Sequence, residues 1–246
     1  MRRLRVAIGG QLKACSRVIT LGVRSQMSDY SMGERGLLRA ADVIFYPTTR
    51  FVDIFATLGK ETFPSVNCYR LLGNKLKQTA LLRLLNVPHP RTRVYYGNKQ
   101  KTLISQDFTF PLVAKRPFRS SGERHVFLIR DQEQLDWFNR RFNPAYIQEY
   151  VPGGRELRVH ILNYRAVVGY WGSPGSELDE IPPETVSLAR YIACAAELSD
   201  VAVDMIFDGS SFWVLELNFR HGDRGWLQRG QSRRELIMEM IETGEL

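Results

Sequence analysis

Two apolar segments joined by an Asp-Gly turn constrain the fold of this chain more than any other feature. Residues 201–207 and 212–218 are mostly apolar, and the segment between them begins with Asp208-Gly209. Apolar runs of this length separated by such a turn predict a β-hairpin. We therefore expect two adjacent antiparallel strands in the last fifth of the chain.

Three polar side chains interrupt this apolar hairpin. Glu216 and Asn218 are two residues apart, so they share one face of their strand, and Asp204 lies nearly opposite on the partner strand. A buried carboxylate is costly unless it is paired or bound to a metal. Two carboxylates and an amide suit Mg²⁺, which completes its shell with water and phosphate oxygens. The alternative is an ordinary strand pair whose acidic side chains face solvent.

Charge is distributed unevenly along the chain. The net charge is +8, but residues 61–150 hold 15 basic and 7 acidic side chains, whereas residues 151–246 hold 9 basic and 15 acidic ones. A nucleic-acid partner is disfavoured, because a uniformly basic surface would suit a polyanion better than this polarity. The distribution instead predicts a cleft with cations on one wall and carboxylates on the other.

The other elements predict lobes that mix helices and strands. Strands are expected at residues 4–8, 42–46, 110–115, 126–129, 146–151, 155–162 and 166–171, and helices at 31–41, 75–85, 131–142, 184–198 and 232–244. The first two strands, with a helix between them, indicate a βαβ unit. The strand that ends at Lys115 is expected to form a hairpin whose polar loop folds over phosphates.

Composition excludes several other classes of protein. Cys15, Cys68 and Cys194 have neither zinc-site nor disulfide spacing. No apolar run is long enough to cross a bilayer, and the first residues lack the apolar core of a signal peptide. We therefore expect a cytoplasmic protein with no membrane partner.

Taken in order, these motifs resemble the ATP-grasp superfamily, and most of all its RimK-like amino-acid ligases. The resemblance runs from about residue 45 to residue 222 and rests on Lys75, Lys115 with Ser120-Ser121-Gly122, the Gln-Glu-Tyr-Val segment 148–151, Glu156-Leu157-Arg158, Asp204 and Glu216-Leu217-Asn218. It implies an α+β fold in which two lobes with antiparallel sheets clasp ATP, preceded by a small α/β lobe. The implied boundaries are 1–70 for the preceding lobe, 71–150 for the small lid lobe and 151–246 for the metal-binding lobe.

The resemblance also implies roles for individual residues. Lys75 and Lys115 would bind the ATP phosphates beneath a loop formed by Ser120, Ser121 and Gly122. Glu156 would lie beside the ribose, and Arg158 would be a catalytic arginine. The adenine would lie against a hinge composed of Gln148, Glu149, Tyr150 and Val151. Mg²⁺, or Mn²⁺ in its place, would be bound by Asp204, Glu216 and Asn218.

One departure from the family concerns a further arginine that RimK-like ligases carry after the second strand of the last lobe. Residues 171–177 contain no arginine here, and we expect Arg220 to act as the second catalytic residue in its place. The implied reaction joins a carboxylate to an amine through an acyl phosphate, with an amino acid, a peptide or a small metabolite as acceptor. Two alternatives stay open, an ATP-grasp phosphotransferase and a nucleotide-binding regulatory module without turnover.

Overall fold

The computed structural model of the protein describes residues 3–118, 125–172, 180–220, 225–226, 230 and 232–246, which form three four-stranded sheets with helices. The strands are β1 (Arg5–Ala7), β2 (Ile19–Thr20), β3 (Val43–Phe45), β4 (Glu61–Phe63), β5 (Thr92–Tyr95), β6 (Leu112–Lys115), β7 (Val126–Ile129), β8 (Ala145–Glu149), β9 (Arg155–Leu162), β10 (Arg165–Trp171), β11 (Asp200–Phe207) and β12 (Phe212–Asn218). The helices are α1 (Met32–Ala40), α2 (Thr48–Thr57), α3 (Val66–Leu71), α4 (Lys75–Leu84), α5 (Gly97–Lys101), α6 (Ile104–Asp107), α7 (Gln132–Arg141), α8 (Pro183–Ala195) and α9 (Arg233–Thr243).

The first sheet is parallel, with the strand order β2-β1-β3-β4. Helix α1 follows β2 and leads into β3, which pairs in parallel with β1. The helix begins with a capping box, in which the Glu34 amide donates to Ser31 Oγ at 3.2 Å and the Ser31 amide donates to the Glu34 carboxylate at 2.7 Å. The predicted βαβ unit is therefore confirmed. Strands β2 and β4 were not predicted, because β2 has only two residues and β4 begins with the polar residues Glu61 and Thr62, so neither forms an apolar run like those of β1 and β3.

The second sheet is antiparallel, with the order β5-β8-β6-β7, and confirms the hairpin at Lys115, which pairs with Val126. Helix α7 buries Leu135 and Phe138 in the same core as this sheet. The predicted strand at 146–151 is displaced, since β8 ends at Glu149. The chain leaves the sheet just before Pro152, which has no N–H to donate to a neighbouring strand.

The third sheet is antiparallel, with the order β10-β9-β11-β12, and β11 and β12 form the predicted hairpin. Asp204 pairs directly with Glu216, and a bulge follows it, before Met205. Helix α8 ends at Ala195 and not at Leu198 as predicted. The helix ends there because Glu197 adopts the left-handed conformation, with φ of 53°, and this turn carries Leu198 into the core.

Helix α9 packs against the first sheet although it lies at the far end of the chain. Its Ile237 and Ile241 share one hydrophobic core with Val43 and Phe45 of β3. Arg5 Nε also donates to the Leu246 carbonyl at 3.0 Å. The helix ends at Gly244, whose φ of 83° matches the expected glycine stop.

Helix α4 packs against the third sheet. Its Leu82 lies in the core that contains Val201 and Val214, on two strands of that sheet. Among the helices of the described residues, none has the length and the apolar character needed to cross a membrane.

The ion pair between Arg233 of α9 and Asp200 of β11 generates a stability prediction. The Asp200 side chain is 2% exposed, and Arg233 Nε donates to its carboxylate at 3.3 Å alongside a second contact from the guanidinium. We expect Arg233→Met to lower the free energy of unfolding by about 3–5 kcal/mol in urea titrations, because it leaves a buried carboxylate without this cation. The control is Arg3→Met, which removes an exposed pair with Glu61 and should cost no more than about 1 kcal/mol. Equal effects of the two substitutions would contradict the prediction.

Candidate functional site

A cleft of about 520 Å³ lies between the second and third sheets, which we call the central cleft. It is lined by predicted site residues from both sheets, namely Lys115, Gln148, Glu149, Tyr150, Val151, Glu156, Arg158, Asp204, Glu216 and Asn218. The structure therefore brings together residues that are up to 103 positions apart in the sequence.

Sequence reasoning missed the apolar lining of the central cleft. This lining consists of Val113, Val126, Leu128, Ile206 and Leu215. Strand alternation could have identified two of these residues. Val113 lies two residues before Lys115, and Ile206 lies two residues after Asp204, so each shares a strand face with a predicted polar residue. The cleft thus combines an apolar slot with a charged end, as small-molecule sites commonly do.

The charged end has a donor set that fits a hard cation. Asp204 and Glu216 face each other across the β11–β12 pair, and Asn218 Nδ2 donates to Asp204 Oδ2 at 3.2 Å. No group of three or more His, Cys, Asp and Glu side chains that could hold a metal occurs in the part of the chain that the structure describes. Two carboxylates and an amide would suffice for Mg²⁺, which takes few protein oxygens and retains water.

Each of the two carboxylates is already paired with a cation. Glu216 forms an ion pair with Lys75, whose side chain is 8% exposed. Asp204 accepts two hydrogen bonds from the Arg158 guanidinium, one of them at 2.8 Å from Nη2 to Oδ2. These partly buried side chains can stay charged because each carboxylate is compensated by the cation paired with it.

Gln78 positions Lys75 beside Glu216, and it was not identified from the sequence. The Gln78 side chain donates to the Leu217 carbonyl at 3.0 Å and accepts from the Leu217 amide at 3.2 Å. Strand β12 is at the edge of its sheet, so Gln78 satisfies backbone groups that another strand would otherwise pair. Lys75 is three residues earlier on α4, and this docking holds it against the edge strand.

Lys115 is a cation of the central cleft whose pKa is strongly perturbed. Its side chain is buried at the end of β6, and this burial lowers its pKa to about 8, although the carboxylates of Glu216, Asp204 and Glu156 oppose the shift. A lysine with such a pKa in a cleft is typical of a functional site.

Several predicted residues are outside the central cleft or outside the described residues. Ser120, Ser121 and Gly122 lie in a segment that the described residues do not include. Lys75 reaches Glu216 from the neighbouring helix, and Arg220 lines two other cavities. The Gln148 amide donates to Thr92 Oγ1 at 3.1 Å, so its side chain is anchored to the neighbouring strand β5.

Comparisons with known proteins identify the architecture. A RimK-domain ATP-grasp protein from Sphaerobacter thermophilus superposes with a TM-score of 0.74 and 17% identity, over 96% of this chain and 98% of that chain. D-alanine–D-alanine ligase from Bacillus anthracis gives a TM-score of 0.71 and 16% identity, over 98% of this chain and 96% of that one. The ATP-grasp ligase PsnB, in complex with minimal precursor, Mg and ADP, gives 0.71 and 14%, over 99% and 98%.

A sequence relative is also similar over most of this chain. Coenzyme γ-F420-2:α-L-glutamate ligase from Methanocaldococcus jannaschii is 22% identical over 213 residues, which cover 78% of this chain and 73% of that protein. No protein-family model matches the chain. The chain has the ATP-grasp fold, and the predicted resemblance to RimK-like proteins is confirmed.

The lowered pKa of Lys115 predicts a pH-dependent stability. The ordinary pKa of 10.5 applies when the chain is unfolded, so the folded state holds fewer protons than the unfolded state between about pH 8 and 10.5. The stability penalty of burying this charge is present below pH 8 and is relieved as the pH rises through that window. We expect the free energy of unfolding of the wild type, relative to Lys115→Met, to increase by up to about 3 kcal/mol between pH 7.5 and 10.

Urea unfolding at several pH values measures this difference. Lys77→Met is the control, because Lys77 is exposed on α4, and its difference from wild type should stay flat with pH. A flat difference for Lys115→Met as well would contradict the lowered pKa.

Proposed function

We propose that this protein is an ATP- and divalent-metal-dependent ligase that joins a carboxylate to an amine. The observation that carries the proposal is the charged end of the central cleft, where Lys75 and Lys115 lie beside the carboxylates of Asp204 and Glu216. A nucleotide polyphosphate with its metal needs both kinds of group at one place, since the lysines neutralise phosphate and the carboxylates bind the cation.

The rest of the cleft fits the nucleoside. The apolar slot, with Val126 on one wall and Ile206 on the other, would enclose the adenine. Tyr150 and Val151 leave the end of β8 and would present backbone groups to the base edge, and Glu156 would bind the ribose. Ser120, Ser121 and Gly122 belong to the loop that would cover the phosphates.

We propose Mg²⁺ as the metal, with Mn²⁺ as the substitute, held by Asp204, Glu216 and Asn218. A divalent cation bound there supplies charge that neutralises the phosphate oxygens. With the carboxylates holding a cation, Lys75 and Arg158 would contact the phosphates instead of Glu216 and Asp204. Each charge of the cleft would then keep an opposite partner.

The chemistry that suits these groups is phosphoryl transfer followed by acyl transfer. A substrate carboxylate attacks the γ-phosphorus of ATP, ADP leaves, and an acyl phosphate is formed. An amine then attacks the acyl carbon, phosphate leaves, and the amine proton passes to solvent. Positioning and electrostatic stabilisation supply most of the rate enhancement in such reactions, and Lys75, Lys115 and Arg158 provide them here.

The named relatives support this assignment. The F420 relative is a glutamate ligase, and the structural neighbours include a D-alanine–D-alanine ligase and a peptide-bound ligase. These names support a reaction that joins a carboxylate to an amine. We propose that the amine belongs to an amino acid, a peptide or a small metabolite.

Substitutions in the charged end test the proposal. We expect Lys115→Met to weaken MgATP binding by at least about tenfold in calorimetric titration, because a charge-assisted contact is lost. Glu216→Gln should lower ATP turnover by about 10²–10³-fold, because one charged metal ligand becomes neutral. Lys77→Met and Glu239→Gln, at exposed positions on α4 and α9, are the matched controls and should behave as wild type. Wild-type binding and turnover in both site variants would contradict the proposal.

Product analysis separates the proposed ligase from the two alternatives. Incubation with MgATP and mixed carboxylates and amines should yield ADP, phosphate and an amide, detected by mass spectrometry. ADP with a phosphate ester would identify a phosphotransferase. Saturable MgATP binding without ADP release across the whole substrate panel would identify a regulatory module.

A further inference from the structure

Two further cavities continue from the charged end of the central cleft toward the first sheet. The junction cavity, of about 500 Å³, shares Glu216 and Asn218 with the central cleft. The distal cavity, of about 660 Å³, shares Thr49, Leu72, Phe219 and Arg220 with the junction cavity. A substrate whose reacting carboxylate lies beside Glu216 and Asn218 therefore has room to extend past Arg220.

Among the described residues that line these two cavities, every charged side chain except one is paired with an opposite charge. In the junction cavity Lys75 is paired with Glu216, and in the distal cavity Arg233 is paired with Asp200. Arg220 is the one cation of these linings without a hydrogen bond or an ion pair to any other described residue. Arg220 is exposed and lines both cavities, so the described residues of the two linings have a net positive charge.

Among the described residues that line the distal cavity, the charged ones are Arg220 and the Arg233–Asp200 pair, and the polar uncharged ones include Tyr46, Thr48 and Tyr69. Burial raises the pKa of both Tyr46 and Tyr69, so their hydroxyls stay protonated at neutral pH. Tyr46 and Thr48 adopt left-handed backbone conformations, with φ of 50° and 67°, although neither is a glycine. Such conformations cost about 1–3 kcal/mol each and persist where the surrounding structure fixes them. The cavity therefore has a fixed wall that can hydrogen-bond a ligand.

We propose that Arg220 is a specificity residue that binds a second anionic group, of the carboxylate type, on the substrate that occupies the junction and distal cavities. This inference rests on the proposed ligase function, because it takes the charged end of the central cleft as the place of reaction. The second carboxylate comes either from a dicarboxylic acid that is activated or from the amine substrate. Arg220 in this role does not contact the transferred phosphate, which differs from the catalytic role expected from the sequence.

Matched pairs of acids and amides test the proposal on the full chain. For an activated dicarboxylic acid, the probes are glutarate and adipate, each compared with its own monoamide. For an amine substrate, aspartate is compared with asparagine. Binding is measured by calorimetry with the chain saturated with Mg and a non-hydrolysable ATP analogue. The proteins are wild type, Arg220→Ala, Arg220→Lys, Arg220→Glu and the control Arg190→Ala, whose arginine is exposed on α8.

We expect wild type and Arg190→Ala to bind the acid of at least one pair about 10–100-fold more tightly than its amide, the range expected for a charge-assisted contact. Arg220→Ala should abolish most of this preference, Arg220→Lys should keep part of it, and Arg220→Glu should reverse it. The pair that shows the effect identifies whether the second carboxylate belongs to the activated acid or to the amine.

Three results would overturn the proposal. They are a wild type that binds no acid probe more tightly than its amide, an Arg220→Ala variant that keeps the preference, and one that loses acid and amide binding equally. The last result would place Arg220 at the reacting centre. Failure of the ligase function itself is distinguished by product analysis, in which the wild type would then form no amide from any substrate pair with MgATP. Failure of the present proposal leaves amide formation intact and removes only the preference for the acid or its dependence on Arg220.

Discussion

The site depends on one constraint, which is that the outer backbone groups of the edge strand β12 need hydrogen-bond partners from outside the sheet. An edge strand must be covered or paired, and here the Gln78 side chain on helix α4 pairs with the backbone of Leu217. The same contact fixes Lys75, one turn earlier, against Glu216. A requirement of sheet architecture therefore also determines the position of Lys75, the lysine that we propose binds phosphate.

Charge compensation explains how so many ionic groups coexist in the central cleft. Glu216 is matched by Lys75 and Asp204 by Arg158, while Lys115 responds to burial by a lowered pKa. A ligand that brings both a cation and an anion can replace these pairs without leaving a buried charge unmatched, whereas a ligand that brings one of them cannot. The cleft is thus suited to a metal-bound polyphosphate more than to a free metal or a free phosphate.

The hairpin and its polar face could be predicted from the sequence because they depend on local rules. Alternation placed Glu216 and Asn218 on one face, and the Asp-Gly turn brought Asp204 opposite Glu216, as the strand register shows. The ion pairs of Lys75 and Arg158 could not be predicted, because they arise from tertiary packing. Gln78 carried no motif at all. In the first sheet, β2 has only two residues and β4 begins with Glu61 and Thr62, so neither formed an apolar run. These two strands and the adjoining helices α2 and α3 were therefore missed.

The packing of α9 on the first sheet has a consequence for the order of folding. The core of that sheet contains Ile237, Met240 and Ile241. The apolar core around the first strands is therefore complete only when α9 has packed against them. During synthesis the two later sheets can assemble from segments that are closer in sequence, whereas the first lobe lacks part of its apolar contacts until α9 has left the ribosome. The wall of the distal cavity, which includes Tyr46 and Arg233, is therefore completed only after the two later sheets have formed.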